Sequence, residues 1–159
     1  EFQPLHARFR DITISIDGAT PETYERLRRG ATWEKLLRTM GILEQARRTG
    51  DIRRIMVNMV VQQQNFQDMR RMVELCRGWA VDGIRFYRIR QWGNVVPGAF
   101  MESDIANPLH PRHPELLALL ADPVFADPII DHYDMYALIL QAQAASPAPA
   151  VATEPALVP

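Results

Sequence analysis

The chain predicts an α/β fold, an arc of a partial (β/α) barrel with about three parallel strands and crossover helices, followed by a C-terminal helical extension. Three observations carry that expectation. Short β-branched runs alternate with longer segments of helical period, the run over residues 54–61 is apolar almost throughout, and each join carries a cap or turn signal. The order is strand, helix pair, strand, helix, strand, which calls for right-handed helical crossovers. A closed eight-stranded barrel takes about 250 residues, so this chain can supply only an arc of one.

The first strand reads Ile12-Thr13-Ile14-Ser15-Ile16 and stops at Asp17-Gly18, a turn pair. Alternation puts Ser15 and Asp17 on one face and Ile14 and Ile16 on the other. Thr20 suits an N-cap and Pro21 the first helical position, so a helix follows toward Gly30. Thr32 caps a second helix that runs from Trp33 toward Arg48 on a stripe of Leu36, Met40 and Leu43, and Gly50 ends it. After the strand over 54–61, Asn65 is placed to cap a helix with Met69, Met72, Val73 and Cys76 on one face. Asp82-Gly83 then turns the chain into a third strand over 84–90. From Pro97 the texture changes, because prolines after Asn107, His110, His113, Asp122 and Asp127 break the chain repeatedly. Helices near 114–121 and 131–144 are what remains. The predicted division is a barrel-like unit over 1–96, a docking extension over 97–145 and a disordered Ala/Pro tail over 146–159.

The formal net charge of −1 argues against a broad electrostatic footprint for nucleic acid or an anionic membrane. No apolar stretch reaches the roughly 18 residues of a membrane span, and no charged-then-apolar leader is present, so a cytoplasmic location is expected. Cys76 is the one cysteine, which excludes an intrachain disulfide and a multi-cysteine metal site built by this chain. The start on Glu1, almost directly before a strand, reads as a piece of something longer.

In α/β folds ligands bind at the carboxyl ends of the strands, where loops and helix N-termini offer unpaired N–H groups. Ser15 and Asp17 sit there. The plain alternatives are that Ser15 satisfies a neighbouring backbone group and that Asp17 caps the following turn. Asn58, polar inside an apolar strand, must find partners or cost roughly 1–3 kcal/mol, so it faces a ligand or is tied to backbone. Arg88 and Arg90 alternate with Ile89: facing a lumen they would bind an anionic substrate, and on an outer face they would form salt bridges. His110 and His113 have a metal-like gap but no third ligand. Cys76 reads as core packing, and Trp79 and Trp92 as anchors between helices and strands.

Three segments together resemble the later half of radical S-adenosylmethionine enzymes, nearest the branch with SPASM-type extensions. They are Ile14-Ser15-Ile16-Asp17-Gly18 with the Arg-rich helix after it, Val57-Asn58-Met59-Val60-Val61 with Asn65, and Arg85-Phe86-Tyr87-Arg88-Ile89-Arg90-Gln91-Trp92-Gly93. The resemblance covers residues 10–94 and would make these the fourth, fifth and sixth strands of that family's partial barrel. It implies that Ser15 contacts the methionyl or ribose part of S-adenosylmethionine, that Arg28 meets its carboxylate, and that Asn58 touches the nucleoside. Asp17 joins this cofactor set, and Arg88 and Arg90 are the substrate candidates. A guanidinium suits a carboxylate because it is permanently charged and can fork two hydrogen bonds onto it. The family's C-x3-C-x2-C loop, which holds a 4Fe-4S cluster, has no counterpart here. A cluster, and the 5'-deoxyadenosyl radical it generates, are therefore expected only in an intact parent that contains the missing N-terminal half of the barrel. The other reading is a non-catalytic α/β ligand-binding or protein-interaction module.

Overall fold

The computed structural model describes residues 11–91, 97–131 and 133–145. The expected disordered tail, His132, and residues 10 and 92–94 of the resemblance, Trp92 and Gly93 among them, lie outside the described residues. Three strands, β1 (Asp11–Ser15), β2 (Arg54–Val61) and β3 (Gly83–Arg88), form a parallel sheet in the order β1-β2-β3. Between them run α1 (Pro21–Leu27), α2 (Trp33–Arg48) and α3 (Met69–Gly78), and beyond them α4 (Pro97–Ser103), α5 (His113–Leu120) and α6 (Tyr136–Ala145). The sheet is not closed into a barrel among the described residues, so the α/β arc with C-terminal helices is the observed architecture.

The local signals act as the sequence requires. Thr20 accepts a hydrogen bond from Thr23 N at 3.2 Å with Pro21 opening α1, and Thr32 accepts from Lys35 N at 3.4 Å at the head of α2. Gly50 takes a left-handed φ of +82° just past α2, where a side chain would be strained. Register then sorts the strand side chains by face. Ile12, Ile14, Ile55, Val57, Met59, Val61, Ile84 and Phe86 join Leu36, Met40, Met69, Met72, Val73 and Cys76 in one hydrophobic core, so the helices cover that face. Thr13, Ser15, Met56, Asn58, Val60, Arg85 and Tyr87 occupy the other face. Burying each large aliphatic of the core is worth about 1.5–3 kcal/mol, which fixes the register because a one-residue slip would exchange the faces.

Several expectations about extent are corrected. Strand β3 ends at Arg88, because its partner β2 ends at Val61 and the last backbone bond is Ile89 N to Val61 O. The final helix begins at Tyr136, later than residue 131, because residues 129–131 lie beside β3: Ile84 N donates to Ile129 O, and Asp131 N donates to Ile84 O, each at 2.8 Å. Helix α4 is additional to the two C-terminal helices that the sequence predicts. It is joined to the end of β2 where Gln63 N donates to Ser103 O at 2.9 Å.

Cys76 is fully buried on the helix side, and burial pushes its thiol up to about 12. The thiol should resist alkylation by iodoacetamide at pH 8 and react once urea unfolds the chain, a contrast read by mass spectrometry. Because the folded value lies above the unfolded one of about 8.5, this contribution to stability is full below that pH. It is lost as pH rises from there through the folded value.

Candidate functional site

The carboxyl ends of β1 and β2 carry the polar residues singled out in the sequence. Ser15 is the register partner of Asn58, so the two stand side by side on the open face, about 4.8 Å apart from strand to strand. One position further, the chain of β1 is still bonded to β2 through Ile16 N to Asn58 O at 2.8 Å. Asp17 then turns its carboxylate back across the strand end. Its Oδ1 accepts from Val60 N and its Oδ2 from Arg28 Nε, both at 2.9 Å. Arg28, the C-cap residue of α1, is thereby held at Asp17, with its side chain 35% exposed and that of Asp17 16% exposed.

Two pairs result, Ser15 with Asn58 in register and Asp17 with Arg28 at the strand end, and they are in different states. Asp17 and Arg28 satisfy each other, and Asp17 neither caps the following turn nor offers a bare carboxylate. Asn58 Oδ1 is the contrary case: it is buried with no hydrogen-bond partner. An amide oxygen withdrawn from water and unpaired costs roughly 1–3 kcal/mol, a cost that a donor arriving from a ligand would remove.

Asn65 is the residue whose role the sequence misassigned. A turn of 3-10 helix (Phe66–Asp68) intervenes before α3, and Asn65 makes no side-chain cap bond to it. Instead its Nδ2 donates to Asp17 O and to Val60 O, and its Oδ1 accepts from Gln62 N, each at 2.8 Å. With Asn65 only 2% exposed, these bonds latch the ends of β1 and β2 together from within. Two further ties fix the same loops: Ala19 N donates to Asp68 Oδ2 at 2.8 Å, and Arg26 Nη2 donates to Gln64 O at 3.0 Å. A polar residue three or four places past an apolar strand was the available signal, and it fits a cap and a latch equally well.

Arg88 and Arg90 are ion-paired. Alternation sets Arg88 on the helix-side edge of β3, where its guanidinium grips Asp104, itself buried, through Nε and Nη2. Arg90 lies past the strand and pairs with Asp134 at 3.0 Å. Both nevertheless border a hollow of about 430 Å³ with Val60, Tyr87, Ile89 and Tyr133. The two histidines hold backbone: His110 Nδ1 accepts from Arg112 N while its Nε2 faces Glu102 O, and His113 Nδ1 faces Ile105 O. Trp79 packs against the core within 6.5 Å of the Trp33 ring, as an anchor should.

No protein-family model, no curated protein and no solved structure matches this chain. The donor set of the rim does not fit an iron–sulfur cluster, since the single thiol lies across the sheet in the core and no group of three or more His, Cys, Asp or Glu is assembled among the described residues. It does fit a small polar molecule that brings a donor to Asn58. Among the described residues no helix is long and apolar enough to cross a membrane.

Proposed function

We propose that the strand-end rim of β1 and β2 is one wall of a small-molecule site, and that its ligand is S-adenosylmethionine, bound as part of a longer radical S-adenosylmethionine barrel. The observation that supports this reading is the in-register pair Ser15 and Asn58, with a buried and unpartnered Asn58 oxygen, near the strand end where Asp17 and Arg28 pair. In this reading Asn58 accepts a hydroxyl or amino group of the nucleoside and Ser15 bonds the ribose or methionyl part. Arg28 stands at the rim to meet the ligand's carboxylate in exchange for part of its contact with Asp17. When bound, the cofactor supplies hydrogen-abstraction chemistry, while these residues bind, orient and keep out water. The cluster and its cysteines belong, in this reading, to a preceding segment or a second chain.

A second reading, a non-catalytic α/β ligand-binding or interaction module, has its own support. Asp17 and Arg28 are satisfied within the chain, so the rim is structurally complete without a charged ligand. Calorimetric titration with S-adenosylmethionine separates the two. The first reading expects saturable binding that Arg28→Ala and Asn58→Leu each weaken roughly tenfold, the scale of one charge-assisted or buried hydrogen bond. Absence of saturable binding to the unmodified chain, or binding indifferent to both substitutions, would leave the module reading standing.

A further inference from the structure

The hollow beside Arg88 and Arg90 has a chemistry of its own. At about 430 Å³ it lies in the size range of small-molecule sites, and it opens at the carboxyl end of β3, bordered by Val60 and Tyr87 from the face that carries Asn58 and by Arg88 from the strand's helix-side edge. Two rings form its aromatic side. Tyr87 and Tyr133 lie with centroids 4.5 Å apart and planes tilted by 50°, and the Arg85 guanidinium sits 6.0 Å from the Tyr133 centroid. Val60 and Ile89 add aliphatic surface. Tyr133 is half exposed, so a flat face is offered to whatever enters.

The charges around it nearly cancel. Arg85 pairs with Asp131, Arg88 with Asp104 and Arg90 with Asp134. Three guanidinium groups matched by three carboxylates give little net field for a polyanion, which would also have to displace or repel those aspartates. A guanidinium has five N–H donors, however, and Asp104 engages Arg88 through only Nε and Nη2. Arg88 therefore keeps N–H donors that its pair with Asp104 does not use.

We infer that this hollow binds a flat aromatic ring bearing a single carboxylate, with the ring against Tyr87 and Tyr133 and the carboxylate at Arg88 and Arg90. The inference deepens the substrate reading of those two arginines, and it does not depend on which ligand occupies the Ser15–Asn58 rim. The S-adenosylmethionine titration reports on that rim alone, so either result can fail without the other.

The test uses 4-hydroxybenzoate as the probe, with cyclohexanecarboxylate and inorganic phosphate as comparisons, and follows the tyrosine ring resonances by NMR. The expected result is saturable movement of the Tyr87 and Tyr133 signals with 4-hydroxybenzoate. Cyclohexanecarboxylate, which has the charge without the flat face, should bind more weakly, as should phosphate. Tyr133→Leu, at a half-exposed position, should weaken the aromatic probe roughly fivefold, in line with the worth of one ring contact. Tyr87→Leu should do the same if the Tyr133 variant fails to fold. No binding of 4-hydroxybenzoate overturns the inference, and so does equal or tighter binding of either comparison compound or unchanged affinity in the folded variant.

Discussion

Gly18→Ala should cost about 3 kcal/mol or more, or abolish folding altogether. A Cβ built on Gly18 would lie 2.4 Å from Tyr24 N and 2.7 Å from Thr23 C, and both are backbone atoms of α1 that no rotamer change can move aside. Relief requires the helix to retreat from the end of β1. That retreat would pull Thr20 from its cap and Arg28 from Asp17, so the damage would reach the rim. Urea denaturation followed by circular dichroism gives the loss directly as a fall in midpoint. An unfolding free energy within about 0.5 kcal/mol of the parent, the usual range for a surface change, would show that the turn has room the structure does not contain.

Asn65→Ala should be nearly as severe, at roughly 3 kcal/mol, because it strands three partly buried backbone groups at once. Asp17 O and Val60 O would lose their donor and Gln62 N its acceptor. Asn65→Asp provides a sharper comparison. The aspartate keeps an acceptor for Gln62 N but puts a second acceptor against two carbonyl oxygens, so it should be no better than alanine despite being nearly the same size. An aspartate variant as stable as the parent in the same urea experiment would mean that the latch holds little of the energy assigned to it.

The parts of this molecule that were legible in its sequence are those governed by neighbours along the chain. Thr20 with Pro21, Thr32, Gly50 and the face alternation around Ser15 were each decided by local backbone chemistry or strand period, and each stands as expected. The parallel order of three strands followed from helices interposed between apolar runs. Where the chain pairs with itself across distance, the sequence was silent. Nothing near Asn65 distinguishes a helix cap from a latch onto Asp17, 48 positions away. The stretch over 129–131 reads as the head of a helix until the open edge of β3 is known to lie beside it. Arg88 illustrates the same limit: alternation gives its face, yet only Asp104, in a loop beyond an unforeseen helix, explains why that face holds a charge.

The most direct measurement is the side-chain amide signal of Asn58 during addition of S-adenosylmethionine to the isotopically labelled chain. The account predicts that this signal and the backbone signals of Ser15 and Arg28 move together and saturate, as an unpartnered oxygen acquires a donor at the rim. Saturable binding with those three sites unmoved, or no movement anywhere on β1 and β2, would contradict it.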